Sequence, residues 1–72
     1  MNNGNELISK IMADLRLHRT RMQARGYDID DFDRGYAMGQ LSIAHINLGA
    51  DAEAFKAANA EIIAMGRATE AA

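Results

Sequence analysis

The chain has no cysteine and no proline, and its charges nearly cancel. Without cysteine, neither a disulfide nor a thiolate metal site can hold a small fold together. No apolar run approaches the roughly 18 residues that would suggest a membrane span. The opening MNNGNELISK lacks the basic region and apolar run of a secretory signal. Membrane association is therefore not expected, and the cytoplasm is the default location. Eight Lys and Arg against ten Asp and Glu leave a formal charge of −2. That balance argues against a general nucleic-acid binder and is too weak for a DNA mimic.

What remains is 72 residues, 49% of them hydrophobic, with much of that fraction supplied by Ala. A domain of roughly 60 residues buries only about 60% of its unfolded surface, so one marginal domain is the upper limit here. Very good helix packing and oligomerisation are the two routes left for stabilising it.

The stretch Ile29 to Leu48 organises the rest. At about 100° per residue, Ile29, Phe32, Tyr36, Gly39, Ile43 and Ile46 fall on one side of a helix. Ala37, Leu41, Ala44 and Leu48 fall nearly opposite, with Met38 at their edge. A helix apolar on both sides must be covered on both sides. In so short a chain, one cover comes from neighbouring helices and the other calls for a second molecule. This predicts a homodimer with the second helix at its centre.

The flanking segments read as two more helices. Asn5 is the expected N-cap of the first, after a frayed Met1 to Gly4. Leu7, Ile8, Ile11, Met12, Leu15 and Met22 form its apolar stripe, and Gly26 stops it after Arg25. Leu17 lies on the opposite side. Asp28 is the expected cap of helix two, with Tyr27 and Phe32 as a hydrophobic staple. Gly35 and Gly39 make a GxxxG pair, continued by Ser42, that predicts close approach of another helix. Gly49 ends helix two, and Asp51 caps a third, Ala-rich helix with Phe55, Ala58, Ile62, Met65 and Ile63 on its apolar face. The expected fold is all-α: a helical hairpin plus a third helix, spanning about 5–25, 29–48 and 52–67, completed as a homodimeric bundle.

Chemistry is scarce. A calcium loop starting at Asp28 would need oxygen ligands where Phe32 and Gly39 stand. His18 and His45 lack any zinc spacing. Ser9 and Ser42 have no readable base partner, and no glycine loop follows a strand. No catalytic residue, cofactor or metal is predicted. The segment from helix two through Gly49 to helix three has the spacing of a helix-turn-helix, and a DNA-binding regulator is the alternative reading. Its reading helix, however, offers Lys56 against Asp51, Glu53 and Glu61, and phosphate contacts dominate such affinity.

Protein association is the remaining function. The second helix supplies one candidate surface through Gly35, Tyr36, Gly39, Ile43 and Ile46. Arg16, Leu17, Arg21, Arg25 and Tyr27 supply another, whose mixture of Arg, aromatic and apolar groups suits interface hot spots. In size and texture the chain looks like the small helical proteins that phages and mobile elements use to bind host factors. That likeness implies an inhibitor or regulator of a larger protein.

Overall fold

In the computed structural model, the backbone is described for residues 2–71 and side chains for residues 2–67. Among these, the chain forms three helices and no strand: α1 (Asn3–Ala24), α2 (Asp31–Leu48) and α3 (Ala52–Ala71). The first helix begins earlier than the sequence suggests. Asn2, not Asn5, is its N-cap, with the side-chain oxygen accepting from the Asn5 backbone N–H at 3.0 Å. Gly4 is accordingly buried within the helix rather than frayed.

The reason lies 46 residues away. Asn5 faces the corner between α2 and α3, where its Oδ1 accepts from the Asp51 backbone N–H at 2.8 Å. Its Nδ2 donates to the Asp51 carboxylate at 2.9 Å. Asn2 Nδ2 donates to the Gly49 carbonyl at 2.7 Å. Gly4 sits between these bonds because nothing larger fits. A Cβ there would collide with the Ala50 nitrogen and lie 2.7 Å from the Ala44 carbonyl oxygen. The first turn of α1 is thus clamped to the start of α3.

Gly26 ends α1 with a φ of 85°. The Tyr27 and Gly26 N–H groups return to the Met22 and Gln23 carbonyls, the paired bonds of a Schellman motif. The cap of α2 also differs from expectation. Asp30 rather than Asp28 holds the position, and its side chain and that of Asp33 accept reciprocally from each other's backbone N–H in a capping box. Asp28 is drawn away by Arg19, which bridges to it from α1 at 3.1 Å. With Asp30 as cap, the residue before it is Ile29, which is buried in the core. The Tyr27–Phe32 staple is therefore replaced, and both of those rings stay exposed.

Ile8, Ile11, Met12 and Leu15 of α1 meet Ala37, Leu41 and Ala44 of α2 and Ala58, Ile62 and Met65 of α3. Leu41 and Ile62 are fully buried. Two of the three α2 core residues are Ala, which lets its neighbours approach closely but removes little area from water. The α2–α3 corner is closed by His45, whose ring stacks on Phe55 at 4.9 Å between centroids. Its Nδ1 lies 2.7 Å from the Ala50 carbonyl, so that nitrogen carries the donated proton. Arg16 ties α1 to α3 through a two-pronged pair with Glu61, both bonds 2.7 Å.

Candidate functional site

One side of α2 is core; the other is bare. Phe32 is 77% exposed, Tyr36 63%, Ile43 54% and Ile46 77%. Together with Gly39 they follow each other by four, three, four and three residues along the helix. This alternation confines them to about 80° of arc at 100° per residue. It is also the spacing of an a/d seam, the pattern by which one helix receives another. The run from Phe32 to Ile46 covers about 21 Å of helix at 1.5 Å per residue. Phe32 and Tyr36 already stack on each other at 6.4 Å, which presents them as one slab.

The edges of the seam are uncharged beyond Asp31 and Asp33 in the first turn: Gly35 and Ser42 border one side, Gln40 and Asn47 the other. Ser42 Oγ donates back to the Met38 carbonyl at 3.2 Å. Apart from its chain neighbours and the backbone of α2 itself, no atom lies within 4 Å of a Cβ placed on Gly35 or Gly39. Neither α1 nor α3 therefore supplies the close helix crossing expected at these two glycines. Within the chain, the glycine that makes such a crossing is Gly4. Beside the seam, a groove of about 320 Å³ separates α1 from α2, with Leu7, Ile11 and His18 on one wall and Tyr36, Ala37 and Gln40 on the other.

The second candidate surface divides. Arg16 commits its guanidinium to Glu61, and the mutual hydrogen bonds hold the Glu61 carboxyl below the ordinary carboxylate range and push Arg16 further up. Its neighbours remain open. Leu17 is 49% exposed and Tyr27 67%, while Arg21 and Arg25 are exposed on the last turn and cap of α1. Leu17, Arg21 and Arg25 follow at four-residue intervals and so share one ridge, which ends near Tyr27.

The acidic turn has structural occupations. Asp28 pairs with Arg19, Asp31 with Arg34, and Asp33 with His18 at 3.4 Å. Asp30 is held below the usual carboxylate range, chiefly by the Asp33 backbone N–H that it caps. Among the described residues no three His, Asp or Glu side chains converge on a point where an ion could sit. None of the described helices is long and apolar enough to cross a membrane.

Periodicity groups Phe32 with Tyr36, Gly39, Ile43 and Ile46, but pairing it with Tyr27 as a staple keeps it out of the candidate surface; the four-three alternation is the signal that includes it. No family model, curated protein or solved structure matches this chain.

Proposed function

We propose that the chain is a small, non-enzymatic protein-binding module that regulates or inhibits a larger protein by occupying its surface. One observation carries this reading. Four large apolar side chains stand exposed and in register on the side of α2 that faces away from the chain's own core. The largest apolar patch on a typical monomer is about 300–600 Å² and is often functional. Two aromatic rings, at roughly 150–250 Å² each, and two isoleucines bring the α2 face to that order of size.

The ridge of Leu17, Arg21 and Arg25 with Tyr27 supports the same class of function. Arg and aromatic residues are enriched at interface centres, and Arg binds carboxylates in a fixed fork. An acidic, partly apolar protein surface suits that ridge. The helix-turn-helix alternative gains nothing from Arg16, which reaches α3 from α1 but is tied to Glu61.

The test is purification of the tagged chain from its native cells with nuclease present, alongside Ile43→Glu and the double variant Arg21→Glu, Arg25→Glu. A stoichiometric protein retained by the wild type and lost by either variant is the expected result. Recovery that depends wholly on nucleic acid would overturn the reading in favour of DNA regulation. A protein partner held equally by all three would place the function on another surface.

A further inference from the structure

Resting on the protein-binding reading, with the ridge of Leu17, Arg21, Arg25 and Tyr27 left for the larger protein, we infer that the occupant of the α2 seam is a second copy of this chain, packed antiparallel across a two-fold axis beside Gly39. Two features identify the occupant: the order of side chains along the seam, and the placement of its charges.

The seam is nearly self-complementary when reversed. Phe32 and Ile46 each stand seven residues from Gly39, while Tyr36 stands three before it and Ile43 four after. In the antiparallel arrangement Phe32 of one copy lies against Ile46 of the other, and Tyr36 against Ile43. Each aromatic ring thereby meets a branched aliphatic chain, twice over, as an isologous interface requires. Gly39 then meets its own counterpart at the centre. The open space over Gly35 and Gly39 allows the two backbones to approach there. A parallel arrangement would instead set Phe32 on Phe32 and Ile46 on Ile46, in unequal layers.

Charge favours the same choice. The acidic residues of α2 gather at its first turn, where Asp30 caps the helix and Asp31 and Asp33 follow. The last turn of the seam carries only Asn47 and Leu48 beyond Ile46. Parallel pairing would bring two acidic turns together, and antiparallel pairing keeps them about 20 Å apart at 1.5 Å per residue. Beyond that acidic first turn, the seam edges Gly35, Ser42, Gln40 and Asn47 offer no charge by which a differently charged partner would be selected. Two such faces together bury on the order of 1,000 Å², the lower bound for a specific interface.

Sedimentation equilibrium of the full chain tests the dimer. Wild type is expected at twice the chain mass at micromolar concentration. Ile43→Glu, a change at an exposed position, should run as a monomer with unchanged helical circular dichroism. Because the chain has no native cysteine, single substitutions then report orientation. A mixture of Phe32→Cys and Ile46→Cys chains should form a mixed disulfide on mild oxidation, and Phe32→Cys alone should not. Tyr36→Cys mixed with Ile43→Cys repeats the test one layer inward. Self-crosslinking of Phe32→Cys in preference to the mixed product overturns the antiparallel arrangement. A wild-type monomer overturns the self-pairing outright. If that monomer still loses a protein partner on Ile43→Glu, the seam serves another protein, and the protein-binding reading stands without the dimer.

Discussion

Gly4→Ala is the sharpest probe of how this chain is held together. The added methyl would collide with the Ala50 nitrogen and stand 2.7 Å from both the Ala44 carbonyl oxygen and the Ala50 Cα. All three are backbone atoms, so no side chain can rotate away. Overpacking of a tight site costs about 1–3 kcal/mol. Relief would require α1 to lift from the α2–α3 corner, which lengthens the Asn2–Gly49 and Asn5–Asp51 bonds. Ala is the better helix former by at most about 1 kcal/mol in a helix interior, and by less in a first turn. The net loss is therefore about 1–2 kcal/mol. For a domain of this size each kcal/mol moves the melting temperature by about 4–8 °C, so a fall of about 4–16 °C is expected. Urea unfolding followed by circular dichroism gives the free energy directly. Gly35→Ala is the matched control: with open space around it, the same change should raise single-chain stability by about 0.5–1 kcal/mol. If Gly4→Ala leaves the midpoint unchanged or raises it, the clamp is not a tight contact and the reasoning fails.

Three further outcomes are expected. Leu41→Ala or Ile62→Ala, each removing a fully buried side chain, should cost about 2–5 kcal/mol and leave much of a marginal domain unfolded in the same urea assay. Acid should destabilise the fold: Asp30 and Glu61 have folded values below their ordinary 3.8 and 4.5, so their stabilisation is complete above those values and is lost as pH falls through the lower folded ones. Thermal melts between pH 5 and pH 2 should show this, with a flatter profile for Glu61→Gln. Tyr27→Ala, at an exposed position, should change the melting temperature by no more than about 2–4 °C, since such surface substitutions usually stay within about 0.5 kcal/mol. Loss of partner binding without loss of fold, read by calorimetric titration, would then mark Tyr27 as a contact.

The parts of the fold legible in the sequence are those set by local chemistry. The opposed faces of α2 followed from periodicity within the helix, where Ala37, Leu41 and Ala44 are buried while Tyr36, Ile43 and Ile46 are exposed. The reading fails at both ends: Ile29, grouped with the outer face, lies before the helix and is buried, and Leu48, grouped with the inner face, is exposed. Gly26 and Gly49 were readable as stops because each takes a positive φ at a helix end. The failures involve partners distant in sequence. Asn5 reads as a cap until Asp51 arrives opposite it. Asp28 reads as a cap until Arg19 reaches across the turn, and the role passes to Asp30. Arg16 reads as a free surface cation because nothing near it in sequence announces Glu61. Gly4 looked like a disordered start because a glycine near a terminus carries no sign of the backbone that will cross it. The seam was largely visible: periodicity groups its residues on one face, and only the staple reading keeps Phe32 out of the candidate surface.

The clamp at the α2–α3 corner also bears on the order in which the chain folds. α1 and α2 are joined by a short turn and can pair through contacts close in sequence. The Asn5–Asp51 bonds join residues 46 apart in the chain, and closing that loop costs entropy that only late packing repays. Contacts absent from the transition state govern the unfolding rate and leave the folding rate almost untouched. Loosening the corner should therefore shorten the lifetime of the native state without slowing its formation, so that α3 detaches first when the molecule opens.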